Sequence, residues 1–188
     1  MARGGSLLRS GPPEIALASA DIRAGVLDSV SARSSERILH KETTVASPIE
    51  RVWWAWTTSE GMSSWWAKNS WIELRLGGPY ELYFLMDRPR GFQGSEGCRI
   101  LSYCPNEMLS FSWNFPPTMP EIRNEHTWVV LRFARLGRSK TRVTLDQIGW
   151  ERGRAWYAGW KYFDDAWGRV LKRFRTRFPS ADARRKRG

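Results

Sequence analysis

The sequence predicts an α+β fold in which a curved, seven-stranded antiparallel sheet surrounds a long C-terminal helix, with two short helices after the first strand. Three observations support this prediction. Six short segments of alternating apolar and polar residues lie between residues 70 and 149, with turn residues between them. A segment with a strong helix-start signal precedes them at residues 47–56. An aromatic stripe at helical spacing follows them and ends before Pro179.

The first strand and the first helix follow one another directly. Residues 38–45 are rich in β-branched side chains and predict a strand. Ser47, Pro48 and Glu50 then form the pattern of a capping box with proline at the first helical position. The apolar residues of 49–56 recur at the spacing of one helical face. A second short helix is predicted around residues 61–66.

The remaining strands and the last helix follow in order. The predicted strands are residues 70–76, 80–86, 97–104, 108–114, 125–135 and 140–149, and the short links between them predict an antiparallel meander. The last helix is predicted over residues 152–178. Its aromatic stripe requires a large apolar partner, and the concave face of the sheet is the available one. Such an arrangement leaves room for a cavity between sheet and helix.

Composition divides the chain into three parts. No Phe, Trp or Tyr occurs in residues 1–37 or 179–188, although the chain has 25 of them. We therefore expect a mobile N-terminal extension over 1–36, a domain over 37–178 and a basic, disordered tail over 179–188. The net charge is +11, and residues 169–188 contribute +8 of it. Contact of this basic end with nucleic acid or an anionic surface is less favoured than a solvated helix end.

Several classes of protein are excluded by what the chain lacks. It has no apolar run long enough for a membrane span and no secretory pattern at its start, so a cytoplasmic location is predicted. Cys98 and Cys104 are the two cysteines. They lie six apart on one predicted strand, about 20 Å at the rise of a strand, which is too far for a disulfide. Both are expected to be small, buried side chains on one face.

Seven motifs in order resemble the START-like, or SRPBCC, superfamily. They are 46–53 (ASPIERVW), the pair Trp65-Trp66, the pair Gly77-Gly78, 97–101 (GCRIL), 105–113 with its LSFSW ending, 141–145 (TRVTL) with Gly149, and the pair Gly159-Trp160. Within the superfamily, the chain is most similar to the branch of homologues of the activator of a heat-shock protein ATPase (AHSA-type). The resemblance covers about residues 38–176 and implies the helix-grip fold.

The resemblance implies fold more strongly than activity, because this fold hosts many activities. Its members bind lipids, hormones or polyketides, or act as cyclases. One departure concerns the position two residues before Gly149, where many relatives have histidine and this chain has Gln147. An amide does not titrate, so a general base is missing there, but Gln147 can still orient a ligand by hydrogen bonding.

Alternation along the strands predicts which side chains face the cavity. The expected ligand-binding residues are Gln147, Trp53, Trp56, Tyr80, Leu82, Phe84, Phe111, Trp113, Glu125, Val129, Leu131, Trp156, Trp160 and Phe163. No catalytic residue, metal site or cofactor is predicted. His40 and His126 have no further metal ligand at a suitable spacing.

The resulting hypothesis is a cytoplasmic START-like domain that binds a small hydrophobic or aromatic molecule between the sheet and the last helix. A cyclase or dehydratase acting on a polyketide-like substrate is the first alternative, and a partner protein that regulates a chaperone ATPase is the second. An enzyme needs titratable groups in its cavity, and alternation places few there. Whether the chain is an enzyme is left open, with binding favoured, and a homodimer is left open as well.

Overall fold

The structure, a computed structural model, describes residues 37–178. The predicted extension over 1–36 and the predicted tail over 179–188 lie outside the described residues. The elements in chain order are β1 (Leu39–Val45), α1 (Ile49–Thr57), α2 (Ser59–Ser63), β2 (Asn69–Ile72), β3 (Tyr80–Tyr83), β4 (Ile100–Cys104), β5 (Met108–Asn114), a 3-10 turn (Pro120–Ile122), β6 (His126–Gly137), β7 (Lys140–Ile148) and α3 (Arg154–Arg177). The α+β helix-grip arrangement is confirmed.

The strands form two antiparallel ladders that meet at an irregular segment. Five strands pair in the order β1-β7-β6-β5-β4, and β2 pairs with β3. Between β3 and β4, the Tyr80 amide donates to the Cys98 carbonyl at 2.9 Å, and the Ile100 amide donates to the Gly78 carbonyl at 2.8 Å. These hydrogen bonds connect the β2–β3 ladder to the five-stranded sheet near β4. All seven predicted strands are present, most of them shorter than predicted.

The two short helices begin differently from the prediction. Helix α1 has Pro48 at its N-cap and no side-chain cap. The capping box does not form, because the Glu50 carboxylate pairs with Arg135 of β6 instead. Helix α2 begins at Ser59, earlier than predicted, because the Thr58 hydroxyl accepts a hydrogen bond from the Gly61 amide at 2.9 Å and caps it there.

Helix α3 lies against the sheet along its aromatic stripe. The buried residues of the stripe are Trp156, Gly159, Phe163, Trp167, Leu171 and Phe174. Gly159 allows a close approach, since a Cβ atom there would lie 2.5 Å from Cε1 of Phe115. Lys41 of β1 pairs with Asp164 of the helix at 2.6 Å. No helix among residues 37–178 is long and apolar enough to cross a membrane.

The cysteines correct one prediction. Both are free, but Cys98 is buried and Cys104 is exposed. The expectation that they share one face is wrong, because the β4–β5 register shifts between Ile100 and Ser102. A shift of this kind inserts an extra residue and breaks the alternation on which the expectation rested.

Candidate functional site

A cleft opens between the end of the sheet and helix α3. It consists of two adjoining cavities of about 230 and about 400 Å³. Both cavities are lined by Phe84, which follows β3, by Trp113 of β5, and by Tyr162 and Phe163 of α3. The smaller cavity extends along residues 93–95 and 114–117, and the larger one extends along the helix to Arg173. The cleft therefore lies between the sheet and helix α3.

The walls of the larger cavity are mostly aromatic. The Trp66 ring lies 5.4 Å from the Phe84 ring and 6.1 Å from the Trp113 ring, with interplanar angles of 38° and 31°. Trp167 of α3 packs against Trp66 at 5.7 Å and against Trp113 at 5.4 Å. Phe84 is 44% exposed and Tyr162 is 40% exposed. Two aromatic side chains of the cleft thus present open faces on which an apolar molecule can pack.

Arg123 holds one wall of the smaller cavity in place. It is 7% exposed, and one of its terminal nitrogens donates to the Gly91 carbonyl at 2.7 Å and to the Gly94 carbonyl at 2.9 Å. Its other terminal nitrogen donates to the Phe115 carbonyl. The Glu96 carboxylate provides the counter-charge, with Oε2 lying 3.4 Å from the nitrogen that bonds Gly91 and Gly94. Burial lowers the pKa of Arg123, and the Glu96 carboxylate opposes that shift. The arginine joins the segment before β4 to the segment after β5.

All the predicted ligand-binding residues except Glu125 and Gln147 fall into three groups. Phe84, Trp113 and Phe163 line the cleft. A second group is fully buried in the core behind it: Trp56, Tyr80, Leu82, Phe111, Val129 and Leu131. Tyr80 is typical of this group, since its ring stacks on Phe111 at 4.1 Å and its hydroxyl donates to the Trp56 carbonyl at 3.0 Å. The spacing of apolar residues predicted that these side chains point inward, but not how deeply they are buried.

The third group lies away from the cleft. Trp156 packs edge-on against Phe115 at 5.2 Å, and Trp53 packs edge-on against Phe133 at 5.5 Å. Trp160 is half-buried beneath the guanidinium of Arg37, 5.4 Å from its ring. None of these three tryptophans lines either cavity of the cleft.

Glu125 requires a correction. The residue is exposed, and its backbone amide donates to the Ile122 carbonyl at 3.0 Å in the turn before β6. Strand β6 begins only at His126. The alternation that places Thr127 and Val129 inside therefore does not extend back to Glu125, and its expected inward direction is wrong.

Gln147 is fully buried and hydrogen-bonded on both sides of its amide. Its Nε2 donates to the Thr127 hydroxyl at 2.7 Å, and the hydroxyl donates to the Trp113 carbonyl at 3.0 Å. Its Oε1 accepts from Nε1 of Trp167 at 2.7 Å. The amide thus connects strands β5, β6 and β7 to helix α3. Whether it also contacts a ligand stays a prediction.

Several residues of the cleft were not predicted as ligand-binding residues. In the smaller cavity they are Leu85, Gln93, Gly94, Ser95, Asn114, Phe115, Pro116, Pro117 and Tyr162. In the larger cavity they are Trp66, Tyr162, Ala166, Trp167, Arg169, Val170 and Arg173. Those of the larger cavity lie mostly on helix α3, where spacings of three and four residues repeat along one face from Tyr162 to Arg173. Continuing the helical face beyond the aromatic residues would have found the two arginines.

The titratable groups near the cleft give little acid–base chemistry at neutral pH. The cleft-lining residues within the described chain include one tyrosine and two arginines, and no histidine or carboxylate. Burial raises the pKa of Tyr80 above its ordinary value. Burial and a hydrogen bond to Glu81 raise the pKa of Tyr83 to about 12. Among residues 37–178, no group of three His, Cys, Asp or Glu side chains is placed to hold a metal ion.

Comparison with protein families gives one match, which covers residues 46–178. The matched family is described as "Activator of Hsp90 ATPase homolog 1-like protein" (AHSA1). This chain belongs to the AHSA1 family. The match begins directly after β1 and spans every helix and all later strands, so it includes each wall of the cleft. No curated protein matches this AHSA1-family chain.

Three solved structures show the same fold. Protein MLL2253 from Mesorhizobium loti has a TM-score of 0.59 and 17% identity, covering 75% of this chain and 96% of its own. CalU16 from Micromonospora echinospora has a TM-score of 0.56 and 20% identity, with 80% and 81% covered. The Aha1 dimer from Colwellia psychrerythraea has a TM-score of 0.52 and 16% identity, with 76% and 96% covered. At such identities the likeness establishes the fold alone.

Proposed function

We propose that this AHSA1-family domain binds a small hydrophobic or aromatic molecule in the cleft between the sheet and helix α3. The observation that carries the proposal is the continuous cleft with Trp66, Phe84, Trp113 and Phe163 in its walls. Ligand sites of proteins are concave, mostly apolar and of this size class. The cyclase or dehydratase and the chaperone-partner alternatives stay predictions, as do a cytoplasmic location and a homodimer.

The chemistry of the lining favours binding over catalysis. General acid–base catalysis uses a group that gains and loses a proton near the working pH. Arginine stays protonated at neutral pH, and the cleft walls among the described residues otherwise offer amides, hydroxyls and aromatic rings. Such groups bind and orient a molecule, and aromatic faces supply much of the binding energy by excluding water.

The test blocks the cleft and measures binding of two fluorescent probes, N-phenyl-1-naphthylamine and its sulfonated derivative 1-anilinonaphthalene-8-sulfonate. Ala166 lines the larger cavity, so the indole of Ala166→Trp would occupy it. Ala158 lies on the exposed side of the same helix, and Ala158→Trp is the matched control. We expect saturable binding of at least one probe, weakened about tenfold or more in Ala166→Trp, a loss of about 1.4 kcal/mol.

The control variant should bind the probes within about twofold of the natural protein, because its indole lies outside the cleft. Thermal unfolding of both variants checks that each is folded. The proposal fails if a folded Ala166→Trp protein binds both probes as well as the natural protein, or if neither probe binds.

A further inference from the structure

Two arginines stand at one end of the cleft. Arg169 and Arg173 are one helical turn apart on α3, and both line the larger cavity together with Trp66 and Val170. Nε of Arg173 donates to the Trp65 carbonyl at 2.6 Å. That bond fixes the guanidinium beside the aromatic wall and leaves its two terminal nitrogens available for a further partner.

The arginines have no acidic partner among residues 37–178. Neither forms an ion pair there, although Asp165 lies one turn before Arg169 on the helix. The neighbouring Asp164 pairs with Lys41 at 2.6 Å. Like charges four residues apart destabilise a helix by a few tenths of a kcal/mol. Arg169 and Arg173 therefore place unpaired positive charge at the edge of an apolar cleft, and this charge favours the binding of an anion there.

We propose that the ligand of this cleft is a planar aromatic compound that carries one acidic group, bound through that group by Arg169 and Arg173. The guanidinium fork matches the two oxygens of a carboxylate, and its bonds to an ionised acceptor are stronger than bonds between neutral groups. The aromatic body lies against Trp66, Phe84 and Trp113. This inference rests on the proposed function, and it adds the chemical class of the ligand.

The two naphthyl probes differ by one sulfonate, which stands in for the acidic group of the ligand. In the natural protein we expect the sulfonated probe to bind about tenfold or more tighter than the neutral probe, the effect of about one charge-assisted hydrogen bond. The double variant Arg169→Gln/Arg173→Gln should lose that preference and bind the two probes about equally. The single variant Arg169→Gln keeps the bond of Arg173 to Trp65 and should lose part of the preference.

The control is the double variant Lys172→Gln/Arg175→Gln, which removes the same charge from exposed positions of the same helix outside the cleft. It should keep the preference. The inference is overturned if the natural protein binds the two probes equally, if the arginine variants keep the preference, or if the control loses it to the same extent. In each of these cases sensitivity to Ala166→Trp would still support the proposed function, whereas insensitivity to Ala166→Trp removes the proposed function itself.

Discussion

Gln147 connects the sheet to helix α3 through buried hydrogen bonds. Its amide links Thr127 to Trp167 in a chain of buried hydrogen bonds that ends at the Trp113 carbonyl. Two members of the chain, Trp113 and Trp167, also form walls of the cleft. Gln147 therefore positions cleft residues without offering a titratable group.

Replacing Gln147 by Leu should destabilise the protein by about 1–3 kcal/mol, because Nε1 of Trp167 would be left buried without an acceptor. Leu has a similar volume, so packing alone predicts a smaller loss. Urea unfolding followed by tryptophan fluorescence measures the difference. A Gln147→Glu variant retains an acceptor for Trp167 but loses the donor to Thr127. A decrease of less than about 0.5 kcal/mol in the free energy of unfolding of the Leu variant would contradict a structural role for the amide.

The two thiols should differ sharply in reactivity. Burial raises the pKa of Cys98 from 9.0 to about 12, whereas Cys104 is exposed at the end of β4. Because the thiolate is the nucleophile and a raised pKa lowers its fraction at pH 8, Cys98 should resist alkylation in the folded protein. Mass spectrometry after iodoacetamide treatment should show one modification per folded chain and two in urea. The Cys104→Ser variant should stay unmodified until it unfolds.

At the scale of the element, helix α3 carries two glycines with opposite environments. A Cβ atom at Gly159 would lie 2.5 Å from the Phe115 ring and 3.2 Å from Ile122, whereas a Cβ atom at Gly168 has no neighbour within 4 Å. The first glycine serves close packing of helix against sheet. The second glycine has no packing role, so its effect is the loss of stability that glycine causes in any helix through conformational entropy.

The same substitution at these two positions should therefore have opposite signs. Gly168→Ala is expected to stabilise the protein by about 0.5–1 kcal/mol through helix propensity. Gly159→Ala should destabilise it by about 1–3 kcal/mol, since Phe115 or the helix must move to admit the methyl group. Thermal unfolding of the two variants side by side measures both effects. Equal effects at the two positions would show that Gly159 is not at a close contact.

At the scale of the whole molecule, the first and last described residues both pack against the domain. Arg37 stacks over Tyr157 at 5.1 Å, and the Ala46 amide donates to the Phe178 carbonyl at 3.4 Å. Phe178 also packs against Phe174, which is fully buried. These contacts support the prediction that the domain spans residues 37–178.

A shortened chain of residues 37–178 should therefore melt within about 4 °C of the full chain, a difference below about 1 kcal/mol. A chain that ends at Arg173 removes Phe174 and Phe178 and should lose several kcal/mol, since removing a buried phenylalanine ring costs about 3–5 kcal/mol. Calorimetry of the three proteins compares them. A large loss in the 37–178 protein would show that residues outside this range contribute to the stability of the domain.

Periodicity in the sequence was sufficient for the order and type of the elements, because apolar spacing of two or of three to four residues depends only on local geometry. It also placed Phe84, Trp113 and Phe163 on the inner side. Periodicity could not predict how deeply each inward side chain is buried. Tyr80 and Phe111 have the same parity as cleft residues but stack on each other in the core, and a register shift in β4 reversed the direction of Cys104.

The position of the cleft was decided by tertiary packing. Its walls come from the ends of β3 and β5, from Trp66 and from one face of α3, segments that lie far apart in the chain. The close approach at Gly159 and the hydrogen bonds of Gln147 set where helix and sheet touch. Space for a ligand is left only where such contacts end, and this depends on the sum of side-chain volumes from several elements, which no single segment of sequence contains.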